Sequence, residues 1–229
     1  MLVRTAATLA AFAFAVPALA DEAETFRARG NEPFWSVEMT GEAITFRPMD
    51  GAALTVKPVP APRQDGNTEV YEATAGGQSF TLSIASTVCT DTMSGMPFPK
   101  TVTVGIGTSN FEGCGGEPVT LLLGDWIIAE VDGKPAIAGS TPTITFEEDG
   151  KLNGNASCNR FFGGYKLTGE GLATDGLGSS MMMCDQPLMD QEMKVLDILK
   201  GVGGFAIGAD GALILRASDG RKITARPIA

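Results

Sequence analysis

Histidine is absent from the 229-residue chain, and its absence limits what chemistry the other residues can do. Without an imidazole there is no Ser-His-Asp or Cys-His relay, and the commonest zinc and copper ligand is missing. Aspartate and glutamate number 27, but no spacing singles out two of them as an acid and base pair for glycoside hydrolysis. Cys89, Cys114, Cys158 and Cys184 include no Cys-x-x-Cys pair, so thiol exchange has no evident centre. Met181-Met182-Met183, with Met189, Met193, Met93 and Met96, offers thioethers that suit Cu(I). The competing reading makes these methionines core filler, the triplet tucking under a helix that follows it. Asp149 to Asn155 has the oxygens of a calcium loop but lacks alternating ligands and a terminal glutamate, and Lys151 interrupts it, so a hairpin is expected. The chain is therefore read as not an enzyme, with no cofactor and no metal.

What remains is recognition. Asn159, Arg160 and Phe161, followed by Phe162, form the candidate binding stretch. Asparagine suits a tight turn beside Cys158, while Arg160 with aromatic neighbours could hold an acidic ligand. Two other loops carry aromatics between Pro and Gly: Gly30 to Trp35, and Pro97-Phe98-Pro99. They are read as plugs for the ends of a first barrel, with a binding surface as the alternative.

The elements that must hold these residues begin with a segment built for export. Arg4 gives a positive start, Thr5 to Val16 an apolar run, and Pro17 a break before Ala18-Leu19-Ala20, a small-x-small cleavage site. The run is too short to cross a bilayer of about 30 Å. Residues 1–20 are thus expected to be a signal peptide cleaved after Ala20, leaving a periplasmic protein with no integral membrane segment. A net charge of −10, without clustered Lys and Arg, argues against nucleic acid as a partner.

In an oxidising compartment the four cysteines are expected to form disulfides. Three pairings are possible and the sequence does not fix which. If the chain divides near residue 119, the economical pairing is Cys89 with Cys114 and Cys158 with Cys184, each stabilising by roughly 3 to 4 kcal/mol in the chain-entropy model.

Asp-Gly occurs seven times, mostly beside short alternating or β-branched runs, which marks tight hairpin turns. Strands are expected at 35–40, 43–47, 54–59, 69–74, 79–85, 101–106, 125–131, 143–147, 204–207, 212–216 and 222–225. One helix stands out: Asp185 as its cap, Pro187 in its first turn, Leu188, Glu192, Val195 and Leu199 at helical spacing, Met189, Met193 and Leu196 widening the apolar side, and Gly201 after its end. The fold class is mainly β with one helix in the C-terminal domain, as two small antiparallel β-barrel or meander domains, residues 21–118 and 119–229.

Gly154-Asn155-Ala156-Ser157-Cys158-Asn159-Arg160-Phe161-Phe162-Gly163-Gly164-Tyr165, followed by Ser180-Met181-Met182-Met183-Cys184 and the helix with Glu192, resembles the signature of the META domain, the family that includes the HslJ heat-shock protein. Ser180 stands where threonine is usual and Met183 where alanine is usual, departures that bear on local packing. Gly30-Asn31-Glu32-Pro33-Phe34-Trp35, the segment from Cys89 to Pro99, and Gly113-Cys114-Gly115-Gly116 resemble a second group of bacterial envelope proteins. These resemblances imply an exported, β-rich protein associated with heat stress and the envelope, and no particular reaction. The expected function is that of a non-catalytic binding or stress-protection protein whose partner is an envelope protein or small ligand. The alternatives are an inhibitor of a secreted hydrolase such as a lysozyme, and a small-molecule or lipid carrier with an apolar cavity.

Overall fold

The computed structural model describes residues 25–228, so the signal-peptide reading lies outside the described residues. The chain begins with β1 (Phe26–Asn31), β2 (Phe34–Met39), β3 (Ile44–Pro48), β4 (Leu54–Val56), β5 (Arg63–Asp65), β6 (Thr68–Ala75) and β7 (Gln78–Ala85). A short hairpin of two-residue strands, β8 (Cys89–Thr90) and β9 (Pro97–Phe98), precedes β10 (Lys100–Ile106) and β11 (Ser109–Gly115). Apart from that hairpin they form one nine-stranded antiparallel sheet, in the order β4-β3-β2-β1-β11-β10-β7-β6-β5, curved into a half barrel. Alternation sorts the faces: Val37, Ile44, Phe46, Phe80, Leu82, Val102 and Val104 gather in one core and leave water almost completely. Trp35 and Phe111 flank Phe46 at ring separations of 6.0 and 5.0 Å.

A 3-10 turn at Pro118–Leu121 leads into the second sheet. Its strands are β12 (Gly124–Val131), β13 (Lys134–Pro135), β14 (Thr143–Phe146), β15 (Lys151–Asn155), β16 (Arg160–Thr168) and β17 (Gly171–Ser179), then, after the helix α1 (Gln186–Lys200), β18 (Val202–Ile207), β19 (Leu213–Ala217) and β20 (Lys222–Pro227). The order β17-β16-β15-β14-β12-β20-β19-β18 is an almost closed barrel, with β13 paired to β12. Closure depends on Gly171, at φ 136°, where a Cβ would overlap the Gly203 carbonyl of β18. The expected mainly-β, one-helix class is the observed one. All seven glycines of the Asp-Gly pairs have positive φ, the conformation on which the hairpin reading rested.

Helix α1 packs on β12, β17, β19 and β20. Val195, Ile198 and Leu199 are fully buried, and Thr174 of β17 donates to the Leu199 carbonyl at 2.7 Å, satisfying one of the helix's last acceptors. Two details differ from expectation. Asp185 holds the cap position through its carbonyl, which accepts from Leu188 and Met189, while its side chain makes no capping bond. Met193 faces solvent, because the buried stripe runs through Gln191 and Glu192 instead.

The proline-flanked aromatics also part company. Trp35 belongs to the first core, but Phe34 points outward. Phe98, with Met96, does not plug the first barrel; both join Leu122, Trp126 and Phe205 in the second core. The β8–β9 hairpin thus leaves the first sheet and inserts its apolar end against the 3-10 turn and β18. Large apolar side chains crowd the inner faces of both sheets, Phe46, Phe80 and Leu82 in the first and Phe161, Ile128 and Leu152 in the second.

Candidate functional site

The turn between β15 and β16 is closed by a bond from Ala156 N to the Asn159 carbonyl, and this buries the asparagine side chain to 1 % exposure. Its amide is fully committed. Oδ1 accepts from Ser180 Oγ and from Met182 N, both at 2.7 Å, and Nδ2 donates to Met182 O at 3.1 Å and to Glu192 Oε1 at 3.0 Å. The backbone N–H of Asn159 donates to Glu192 Oε2 at 2.7 Å. Two donors and two acceptor lone pairs are all an asparagine amide offers, so none is left for a ligand. Ser180 provides the hydroxyl expected of the usual threonine.

A second buried side chain fastens the same helix. Gln191 Oε1 accepts from Ile137 N at 2.7 Å, and Nε2 donates to Ser140 Oγ at 3.0 Å and Ser157 Oγ at 3.2 Å. One asparagine therefore joins the 154–165 block, the 180–184 block and the helix. The disulfide Cys158–Cys184 clamps the same junction covalently.

Residues 119–227 match the family model of the META domain. The chain is also similar to the NMR structure of a protein from Burkholderia xenovorans, at 25% identity over 48% of this chain and 86% of that one, with a TM-score of 0.40. A second NMR structure is 28% identical over 48% of this chain and 93% of that one, also at 0.40. No curated protein matches the chain significantly.

The glycines of the 154–165 block permit its curvature. A Cβ on Gly154 would overlap the Thr143 carbonyl and meet the Phe161 ring, and at Gly163 and Gly164 it would press on Asp175. The register of β16 against β17 shifts at this point, between Phe162 and Gly164. The shift lies where the outward side of the motif begins. Phe161 points into the second core at 1 % exposure, whereas Arg160 is exposed and Phe162 is 62% exposed.

Of the three residues read as a binding stretch, only Arg160 reaches the surface; Asn159 and Phe161 support it from beneath. Its outward neighbours come from strand pairing. Thr143, Asn155 and Arg160 share one row across β14, β15 and β16, and Thr145, Asn153 and Phe162 share a parallel row. Together they line a groove of about 540 Å³. Among the described residues, no carboxylate lies within ion-pair distance of Arg160.

The methionine triplet is not core. Met181 and Met183 are 97% and 96% exposed, and Met182 is more than half exposed. The backbone of Met182 is taken by Asn159, which turns the side chains on either side outward. Among the described residues no group of three or more His, Cys, Asp or Glu could hold a metal ion. Asp149 and Lys151 pair with each other in the hairpin between β14 and β15.

In the loop of the β8–β9 hairpin, Asp91 plays a part comparable to Asn159. It is buried and accepts from Ser94 N and Ser94 Oγ at 2.7 Å, from Met93 N at 3.1 Å and from Asn31 Nδ2 at 3.0 Å. Asn31 also donates to Thr92 Oγ1, so the 30–35 and 89–99 segments meet here. Burial pushes the Asp91 carboxyl up, but the bonds from Ser94, Asn31 and Met93 outweigh it and hold the group down at about 2. The unfolded chain keeps the ordinary value of 3.8. The stabilisation is thus complete above the unfolded value and is lost as pH falls through the folded one. Asp91→Asn is expected to cost roughly 2 kcal/mol at neutral pH and to flatten the fall in stability between about pH 4 and 2. Urea midpoints at each pH check this, and a slope unchanged by the substitution counts against it.

Cys89 and Cys114 form the other disulfide, tying the β8–β9 hairpin to β11. Among the described residues, no helix is long and apolar enough to cross a membrane.

Proposed function

We propose that this is an exported, periplasmic protein that binds rather than catalyses, serving as a recognition or stress-protection module of the envelope. The observation that carries the reading is the outward pair Arg160 and Phe162, a cation without an ion partner beside an exposed ring, on a row of hydroxyl and amide groups. An acidic surface on a partner complements that pair, with the ring adding contact area. Two further features support it. The buried Asp91 and Glu192 carboxyls are occupied by hydrogen bonds that hold loops and a helix, and the two disulfides suit an oxidising compartment.

The test compares wild type with Arg160→Ala plus Phe162→Ala in periplasmic cross-linking, under normal growth and under heat. Both residues are exposed, so the variant is expected to keep its melting temperature, with a stability change within about 0.5 kcal/mol. A cross-link present in the wild type is expected to disappear. Retention of that cross-link, or a loss of stability with capture unchanged, rejects the recognition role.

A second reading, inhibition of a secreted hydrolase, draws on the 180–184 segment, which exposes Met181 and Met183 while Cys158–Cys184 holds it in place. A pre-ordered projecting segment loses little entropy on entering a cleft. Inhibition assays against a panel of envelope hydrolases, lysozyme included, separate this reading from the first.

A further inference from the structure

We infer that the outer face of β1, β2 and β3 binds a single-chain anionic amphiphile, a carboxylate or phosphate carried on one hydrocarbon chain. The site is distinct from the Arg160 face and lies on the other sheet. Strand register creates it. Arg29 lies opposite Ser36, and Ser36 opposite Arg47, so two guanidinium groups flank one hydroxyl in a row across three strands. Neighbouring strands lie about 4.8 Å apart, which places the two arginines on either side of a space suited to one anionic head.

The next row on the same face is Asn31, Phe34 and Met49, with Met49 N bonded to the Phe34 carbonyl. Phe34 and Met49 are exposed, and so is Met93, brought alongside by the Asn31–Asp91 bond. These three large apolar side chains border a cavity of about 590 Å³, within the range of small-molecule sites. Its charged lining is Arg29, Arg47 and Asp91, two cations against one carboxylate. The Asp91 carboxylate is already taken up by loop bonds, and its nearest approach to Arg29 is 4.0 Å. Among the described residues Arg47 has no ion partner.

Arg29 is also pre-positioned. Its guanidinium lies 5.3 Å from the centre of the Phe98 ring, an arrangement that orients the planar group and leaves N–H donors free. Arg29, Ser36 and Arg47 line a second cleft as well, of about 730 Å³, which runs toward the second sheet past Met96, Phe98 and Leu167 and whose farther walls carry Arg27 and the carboxylates of Glu38, Glu117 and Glu148. The three polar residues therefore sit where two part-apolar spaces join, as an anionic head with an attached chain requires. A neutral ligand gives no reason for paired guanidinium groups, and a bare inorganic anion gives none for the apolar border. With a net charge of −10 on the chain, attraction must come from this local pair, so binding is expected to weaken as salt is raised.

The test is calorimetric titration of the full mature chain with dodecyl phosphate and with dodecanoate, both kept below their micelle concentrations, and with inorganic phosphate. The expected result is 1:1 saturation by both amphiphiles and at least tenfold weaker binding of inorganic phosphate. Arg29→Gln with Arg47→Gln is expected to weaken the amphiphiles at least tenfold. Phe34→Ser with Met49→Ser is expected to weaken them while leaving inorganic phosphate unchanged. Circular dichroism melts confirm that each variant is folded, and single Arg47→Gln, at an exposed position without an ion partner, replaces the double variant if that one is not. No saturation by either amphiphile, equal binding by the arginine variants, or inorganic phosphate binding as tightly as dodecyl phosphate would each overturn the proposal. None of these outcomes depends on Arg160 or Phe162, so the two readings fail separately.

Discussion

Glu192→Ala is expected to lower the stability of the protein by about 3 kcal/mol, because a buried donor stripped of its acceptor costs about 1 to 3 kcal/mol and this substitution strips two. The Asn159 backbone N–H and one Nδ2 hydrogen both end on this carboxyl. Both groups are deeply buried, so water does not replace the lost acceptor without opening the helix from the sheet. Glu192→Gln is the informative control. Its amide keeps one acceptor oxygen but turns a nitrogen toward the second donor, so about half the loss is expected. Urea unfolding of wild type and the two variants gives the measurement. A Glu192→Ala unfolding free energy within about 1 kcal/mol of wild type would show that the asparagine finds other partners.

Removing the Cys158–Cys184 bridge, by Cys158→Ser with Cys184→Ser, is expected to cost roughly 3 kcal/mol. The bridge spans 26 residues and holds the 180–184 segment where Met182 meets Asn159. Its loss and the loss of Glu192 therefore act on one junction. Combining Glu192→Ala with the serine pair is expected to cost less than the two separate losses together, since neighbouring groups do not contribute independently. Additive losses would mean that the bridge stabilises only by restricting the unfolded chain. The Cys89–Cys114 bridge sits on the other sheet and is expected to add independently to Glu192→Ala.

Much of this architecture was legible in residue order, and the omissions have a common cause. Alternation of β-branched or aromatic residues marks strands such as 79–85 and 101–106 nearly to their observed ends. The strands at 26–31, 109–115, 151–155, 160–168 and 171–179 carry no such mark. Those segments are rich in glycine, asparagine and charge, residues with low strand propensity, and they pair because their neighbours and the curvature require it. The same glycines that weakened the signal let the backbones approach at Gly154 and Gly171.

At the candidate site, Asn159, Arg160 and Phe161 read as one surface stretch, but only Arg160 is exposed, and adjacency along the chain conceals that Asn159 and Phe161 turn inward. Strict alternation from the exposed Arg160 points Phe161 inward, and that signal was available. Glu192 fell on the apolar stripe of α1. A carboxylate at such a position is itself a sign of a buried donor waiting opposite it. The methionine triplet misled in the other direction, because hydrophobicity argued for burial while the backbone bonds of Met182 decided orientation. The row of Arg29, Ser36 and Arg47 is not legible in the sequence: it depends on the register of three strands, one of which, β1, has no strand signal of its own.

The insertion of Met96 and Phe98 into the far core bears on where this chain can be cut. A fragment starting at residue 119 would carry every strand of its own barrel and still have a socket with nothing in it, since the side chains that fill it are supplied from upstream. The upstream piece alone would hold its hairpin out into water with the apolar end bare. The halves are thus less like interchangeable cassettes than like a plug and its fitting, and a division at the linker would bare apolar surface on both.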